Sequence, residues 1–169
     1  MEKNNVQITF LANAMPLIGK EIKVGDKAPA FTAVGAGLKP VSLSDFDGKV
    51  KVIAIYPSID TGVCASQNRK FNQIASELND VVVISISCDL PFAQGRFCAA
   101  EGLNNLVTVS DHKDLDFGLK YGFVMEPLRL LARGTVIIGK DNVVKYVEYV
   151  KEVTTEPNYD EALSVVKSL

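Results

Sequence analysis

The feature that most constrains the fold is a nearly continuous run of apolar, largely β-branched residues from Val50 to Tyr56. Such a run predicts a strand with both faces covered, because a half-exposed strand alternates apolar and polar residues. Residues 64–79 then place apolar side chains at i, i+3, i+4 and i+7, which predicts a helix. A buried strand followed at once by an amphipathic helix favours an α/β architecture with a layered core.

The rest of the chain continues this alternation of strands and helices. The predicted elements are, in chain order, a β-hairpin over 6–24 that turns at 12–14, a loop-rich stretch around 29–40, strands at 81–87 and 106–109, helices at 91–102 and 115–121, a β pair at 135–138 and 143–150, and a last helix at 159–169. The pattern predicts one domain over residues 1–169. Its fold class is an α/β sandwich with a mixed central sheet, flanking helices and an N-terminal β-hairpin, for which a thioredoxin-like architecture is the natural match.

Composition excludes several kinds of partner. The net charge of -2 gives no electrostatic reason to expect a nucleic acid or an anionic membrane. No stretch approaches the roughly 18 apolar residues of a membrane span. The apolar run near the N-terminus is short and is interrupted by Gln7 and Thr9, so it does not predict an export signal. We therefore expect a cytoplasmic protein.

The three cysteines, Cys64, Cys88 and Cys98, form no C-x-x-C pair. Three cysteines without an export signal do not predict a static disulfide framework. A structural zinc site needs four ligands and would have to use all three together with His112, at unsuitable spacings, so we expect no metal. His112 itself lies in a polar turn and is predicted to be a surface residue.

The segment Y-P-S-I-D-T-G-V-C carries the chemistry. It leaves the carboxyl end of the buried strand and opens a helix, which is where α/β sheets gather ligands. Thr61 is predicted to cap this helix, and its hydroxyl can also donate to a sulfur or to a bound oxygen. Cys64 falls in the first turn, where free backbone N–H groups and the positive end of the helix dipole favour the thiolate. We predict that Cys64 is a nucleophile.

The same segment contains P-x-x-x-T-x-x-C, the signature of the peroxiredoxins. The longer run P-S-I-D-T-G-V-C-A-S-Q-N-R-K-F-N resembles the bacterial thiol peroxidase branch of that family. Two further blocks are similar to it, D-L-P-F-A-Q-G-R-F-C-A-A-E-G-L-N-N at 89–105 and T-T-E-P-N-Y-D-E-A-L at 154–163. The resemblance therefore extends over practically the whole chain.

The resemblance implies a peroxiredoxin-type fold and a thiol-dependent peroxidase that acts in antioxidant defence without a cofactor. It implies that hydrogen peroxide and organic hydroperoxides are substrates. It matches Cys64 with the peroxidatic cysteine, Cys98 with the resolving cysteine, and Thr61 and Arg133 with the residues that hold thiolate and peroxide. It also implies a Cys64 sulfenic acid, an intrachain Cys64–Cys98 disulfide, recycling by thioredoxin and a homodimer.

Formation of that disulfide requires a change in the structure. Bridged cysteines need Cα atoms within about 7 Å, yet Cys64 and Cys98 lie on different predicted helices. One or both helix ends are therefore predicted to unwind in each cycle. Gly95 and Gly102 are expected to weaken the helix that carries Cys98.

Some assignments stay open at this stage. Arg129 competes with Arg133 for the catalytic role, and Asp60 is expected to support the turn before Cys64. Cys88 is expected to be an inert residue at the end of a strand. Phe92 and Phe97 are predicted to belong either to the core or to the wall of the pocket.

Two other functions use the same cysteine. A general thiol–disulfide oxidoreductase normally has C-x-x-C at the helix start, whereas this chain has T-G-V-C. A redox-responsive binding module would sense peroxide through Cys64 and signal to a partner. The G-G-L-G and Y-F elements linked to easy overoxidation in other peroxiredoxins are absent, so we also expect Cys64 to resist sulfinic acid formation.

Overall fold

The run that begins at Val50 lies inside a seven-stranded mixed sheet in the computed structural model, which describes residues 1–169. The strands are β1 (Ile8–Phe10), β2 (Asn13–Met15), β3 (Leu17–Ile18), β4 (Thr32–Val34), β5 (Pro40–Ser42), β6 (Val50–Ile55), β7 (Val81–Ser87), β8 (Leu106–Ser110), β9 (Val124–Met125), β10 (Leu130–Leu131), β11 (Gly134–Ile138) and β12 (Val144–Tyr149). The helices are α1 (Gly62–Glu77), α2 (Pro91–Glu101), α3 (Asp116–Tyr121) and α4 (Tyr159–Lys167).

The strand order of the main sheet is β12-β11-β6-β7-β8-β4-β5. Strands β6, β7 and β8 are parallel, and the remaining neighbours pair antiparallel. The predicted α/β sandwich with a mixed central sheet and flanking helices is confirmed. The carboxyl ends of β6 and β7 lie side by side, and each leads directly into a segment that carries a redox-active candidate.

Both faces of β6 are buried, as its sequence predicted. Val50, Val52 and Ala54 pack in one apolar cluster with side chains of α1 and α4. Ile53 and Ile55, which point to the opposite face, pack in the larger cluster that includes the aromatic side chains of α3. Because each face has its own helical cover, the strand needs apolar residues at nearly every position.

The N-terminal hairpin is present but differs from the prediction in its turn. Strands β1 and β2 pair with Ile8 opposite Met15, and the turn consists of Leu11 and Ala12, both with positive φ. That geometry is typical of the tight turns that match strand twist. The turn predicted at residues 12–14 is therefore wrong, and β3 leaves the hairpin to pair with β9.

The stretch predicted as loop between residues 29 and 40 contains strand β4 and the first residue of β5. Each strand has only three residues, and β5 lies at the edge of the sheet. Edge strands tolerate proline because one side of their backbone needs no partner, which explains how Pro40 begins β5. The glycine and proline residues of this stretch interrupt the alternating pattern that predicts a strand.

Candidate active site

Helix α1 begins where the turn after β6 ends, and it brings Cys64 into the protein interior. The Thr61 side chain accepts a hydrogen bond from the backbone N–H of Cys64 at 3.3 Å, so Thr61 caps the helix as predicted. The Thr61 hydroxyl lies 3.4 Å from the Ser58 carbonyl and makes no hydrogen bond to the sulfur. Cys64 is the third residue of the helix and is 0% exposed.

Arg133 lies directly against this cysteine. It precedes β11, which pairs with β6, so the sheet itself brings the two residues together. Its Nη2 lies 3.2 Å from Cys64 Sγ, and only 2% of Arg133 is exposed. Arg129 is exposed in a turn with a φ of 53°. The geometry thus places Arg133, rather than Arg129, at the sulfur.

The charge of Arg133 has no carboxylate partner. None of the five salt bridges in the structure includes it. Its other two hydrogen bonds go to neutral oxygens, from Nε to the Val153 carbonyl at 2.8 Å and from Nη1 to Gln67 Oε1 at 2.6 Å. A buried cation without an anion is costly. Among the groups hydrogen-bonded to Arg133, only the Cys64 sulfur can carry a negative charge.

Gln67 is a site residue that the sequence interpretation missed. It is fully buried, and its amide spans the gap between α1 and the end of β6 by donating from Nε2 to the Ile55 carbonyl at 3.1 Å. Its oxygen orients the Arg133 guanidinium. The available signal was spacing, because a polar residue at i+3 from Cys64 lies on the same helix face.

A buried polar network supports α1 from below. Asn68 donates from Nδ2 to the Cys64 carbonyl at 2.9 Å and accepts from Ser85 Oγ at 2.5 Å. Ser85 Oγ also lies 3.0 Å from the Tyr56 hydroxyl. Burial raises the pKa of Tyr56 well above its usual value, so this hydroxyl stays protonated at neutral pH. The network fixes the first turns of α1 against β7.

The turn before Cys64 is held by Asp89 rather than by Asp60. The Asp60 side chain is exposed and has no hydrogen-bond partner, so the support expected from it is wrong. The Asp89 carboxylate accepts hydrogen bonds from Ser58 Oγ at 2.8 Å and from the Ile59 N–H at 2.7 Å. Asp89 lies 29 residues further along the chain than Asp60, and only the parallel pairing of β6 with β7 brings it to this turn.

A cavity of about 310 Å³ opens beside these residues. Most of its wall is apolar, and its polar lining residues are Ser58, Thr61, Arg133 and Thr154. The other principal lining residues are Phe10, Val63, Leu130 and Val153. Because Phe10 comes from β1, the N-terminal hairpin forms part of the wall. The cavity therefore offers an apolar approach to the buried cation.

Helix α2 lies beside the site through Phe97, which is half-buried and packs against Tyr56, Ile59 and Cys64. Phe97 therefore takes the core position, one of the two predicted for it, and does not line the cavity. Phe92 is 67% exposed and lines no part of the cavity, so its predicted position is wrong. Cys98 is half-buried on α2, and burial raises the pKa of its thiol.

The three cysteines are free thiols in this structure. Burial raises the pKa of the Cys88 thiol to about 12, with a smaller contribution from the nearby Asp111 carboxylate, which agrees with the inert role expected for Cys88. His112 is exposed, as predicted, and its Nδ1 lies 2.8 Å from Ser110 Oγ. No group of three or more His, Cys, Asp or Glu side chains is arranged to hold a metal ion. None of the four helices is long and apolar enough to cross a membrane.

The chain belongs to the redoxin family, because the family model described as Redoxin matches residues 23–163. It is 53% identical to the thiol peroxidase of Halalkalibacterium halodurans, over 95% of this chain and 97% of that protein. It is 47% identical to the thiol peroxidase of Bacillus subtilis, over 96% and 98% of the two chains. These similarities agree with the resemblance found in the sequence, and the protein is a thiol-dependent peroxidase of the peroxiredoxin type.

Solved structures show the same fold. A peroxiredoxin-like protein from Aquifex aeolicus superposes with a TM-score of 0.91 at 37% identity, covering 99% of each chain. A thiol peroxidase from Chromobacterium violaceum gives a TM-score of 0.86 at 21% identity, covering 98% of this chain and 97% of that one. The thioredoxin-like peroxiredoxin fold is confirmed.

Proposed function

We propose that Cys64 is the peroxidatic residue and that Cys98 resolves it. The peroxidatic role of Cys64 rests on the contact between Arg133 Nη2 and Cys64 Sγ. Both residues are buried, and no carboxylate forms an ion pair with Arg133. The thiolate attacks the terminal oxygen of ROOH, the O–O bond breaks, and a proton is taken up as ROH leaves. Sulfur is oxidised to the sulfenic acid, and the peroxide is reduced.

The negative charge spreads over sulfur and two oxygens during this attack. Arg133 and the backbone N–H groups of the first turn of α1 are fixed before the reaction, so they need no reorganisation to stabilise the charge. Thr61 holds the turn through its cap, and its hydroxyl, which lines the cavity, can exchange its 3.4 Å hydrogen bond to the Ser58 carbonyl for one to a bound peroxide oxygen. The apolar cavity wall suits the organic group of an alkyl hydroperoxide, and hydrogen peroxide is small enough to enter the same cavity.

In the second step the Cys98 thiol attacks the sulfenic sulfur, the intrachain disulfide forms, and water leaves. The two cysteines lie on separate, intact helices in the reduced protein, so one helix end must unwind first. Helix α2 is suited to this because only Pro91 and Gln94 among its residues are buried. Gly95 adds a flexible point, whereas Gly102 ends the helix in the left-handed conformation and does not weaken it as expected.

A dithiol then reduces the disulfide, and we propose thioredoxin for this role and a cytoplasmic homodimer as the working form. Support comes from the sequence resemblance and from the thiol peroxidase relatives. Coupled turnover with thioredoxin, thioredoxin reductase and NADPH tests the reductant, and sedimentation at several protein concentrations tests the dimer. Turnover also separates an enzyme from a binding module that only senses peroxide.

Three serine variants test the cysteine roles. Cys64→Ser is expected to abolish consumption of cumene hydroperoxide, and Cys98→Ser to allow one oxidation without thioredoxin-dependent turnover. Cys88→Ser is the matched control and is expected to behave like the parent. Peptide mapping after peroxide treatment should show a Cys64–Cys98 link with Cys88 still alkylatable under denaturing conditions. Full peroxide consumption by Cys64→Ser would refute the proposal.

A further inference from the structure

Asp89 joins the two segments that carry the redox cysteines. It lies between the end of β7 and Pro91, the first residue of α2, and therefore belongs to the segment that leads to Cys98. Its carboxylate turns to the other segment, where it accepts hydrogen bonds from Ser58 Oγ at 2.8 Å and from the Ile59 N–H at 2.7 Å. Both donors lie in the turn that leads to Cys64.

The same carboxylate is also fixed from its own side. Ser87 Oγ donates to Asp89 Oδ2 at 2.7 Å, and Gln94 of α2 donates from Nε2 to Ser87 Oγ at 3.1 Å. Asp89 takes part in no salt bridge, so every partner of this anion is an N–H or O–H donor. The end of β7, the first turns of α2 and the Cys64 turn are thus one hydrogen-bonded unit.

We infer that Asp89 is a positioning residue that sets how often the start of α2 separates from the Cys64 turn so that Cys98 can reach Cys64. This inference rests on the Cys64–Cys98 cycle proposed above. The contacts from Ser58 and Ile59 join the two segments in their closed arrangement, and disulfide formation requires those segments to move. Interactions made in only one of two states shift the equilibrium towards that state. Asp89 therefore favours the closed form, in which Cys64 faces Arg133 and the cavity.

The two chemical steps respond differently to this balance. Peroxide attack uses the closed form, which is already the main species, so a moderate loss of its stability changes that rate little. Resolution uses the open form, so its rate rises in proportion to the open fraction. A sulfenic acid that is resolved sooner has less time to react with a second peroxide, so the yield of Cys64 sulfinic acid falls.

Removing the Asp89 carboxylate tests whether peroxide attack and resolution respond differently. Asp89→Ala is expected to form the Cys64–Cys98 disulfide about tenfold faster from the sulfenic acid, because hydrogen bonds to a charged group are lost from the closed form only. Asp89→Asn keeps the shape and one acceptor and should lie between Asp89→Ala and the parent. Ser58→Ala removes one of the two contacts and should act in the same direction. Rapid acid quenching, alkylation and mass spectrometry measure both steps in each protein.

Asp111→Ala is the matched control. Asp111 is a buried carboxylate, and its side chain accepts hydrogen bonds from the N–H groups of Phe117 and Gly118 in α3, neither of which belongs to the two cysteine segments. Its loss should lower the thermal stability and leave the resolution rate at the parent value.

The outcomes are separable. A parent protein that forms no Cys64–Cys98 disulfide would refute the proposed cycle itself. A parent that forms it, with resolution unchanged or slower in both Asp89→Asn and Ser58→Ala, would refute the role of Asp89 alone. These two variants keep the test decisive if Asp89→Ala does not fold.

Discussion

Replacing Arg133 by alanine gives the most direct test of the active-site geometry. The structure places one preorganised cationic donor, Nη2, at 3.2 Å from Cys64 Sγ, and Arg133 is 2% exposed and Cys64 0% exposed. One such donor to a developing anion is worth about 2.7–4 kcal/mol, so the rate constant for Cys64 oxidation should fall about 10²–10³-fold. Arg133→Lys keeps the charge but cannot reproduce the three-way fork, and it should retain only part of the lost rate.

Arg133→Ala has two opposing effects on the free energy of unfolding. Gln67 Oε1 and the Val153 carbonyl each lose a donor, at about 1–3 kcal/mol for an acceptor left unsatisfied. Removing a buried charge without a carboxylate partner offsets part of that cost. We therefore expect a lower melting temperature with the fold retained, which circular dichroism checks directly.

The assay should isolate the first chemical step. In a Cys98→Ser background the sulfenic acid is not consumed by resolution, so loss of the Cys64 thiol against cumene hydroperoxide reports peroxide attack alone. Arg129→Ala is the matched control, because Arg129 is an exposed arginine only four residues earlier. A folded Arg133→Ala protein that oxidises as fast as the Arg129→Ala control would refute the reasoning.

Four further predictions address other parts of the molecule. Gln67→Ala should slow Cys64 oxidation about tenfold. In an Arg133→Ala background the same substitution should change the oxidation rate little, because Gln67 acts through that arginine. An equal loss of rate in both backgrounds would contradict this. Oxidation should deprotect amides of α2 to hydrogen exchange, and identical exchange in the two redox states would contradict unwinding. Excess peroxide should produce little Cys64 sulfinate, whereas rapid accumulation in the mass spectrum would count against the expected resistance. Hydrogen bonds from the Thr9 and Thr154 hydroxyls lower the pKa of Glu152 to about 2, so its stabilising contribution is complete above the usual carboxylate range and disappears as the pH falls towards 2. The difference in melting temperature between parent and Glu152→Gln should therefore shrink in acid, and a difference independent of pH would argue against this.

Local sequence signals predicted the part of the site that is built locally. The buried strand β6, the cap at Thr61 and the position of Cys64 lie close together in the sequence, and the residue types in this segment indicate their own roles. The structure agrees with this part closely. The same locality explains the correct prediction of most helices and of the long strands.

Predictions that needed contacts between distant segments were weaker. Arg133 is 69 residues from Cys64 in the chain, and residue patterns alone gave no reason to prefer it to Arg129. Gln67 and Asp89 were missed because their partners are fixed by the order of strands in the sheet. Asp60 was chosen for support because it is adjacent in sequence, but the pairing of β6 with β7 brings Asp89 there instead.

Helix α1, which carries Cys64, has more buried residues than helix α2, which carries Cys98. This difference fits the requirements of peroxide attack and of disulfide formation. Peroxide attack needs fixed donors, and α1 meets that need with six buried residues and with side-chain bonds from Gln67 and Asn68 to backbone carbonyls. Resolution needs movement, and α2 has only two buried residues, Pro91 and Gln94. A helix with few buried residues opens at a lower free-energy cost than one that is well packed. Helix α2, which must move for the disulfide to form, is therefore the helix of the two that is less stabilised by packing.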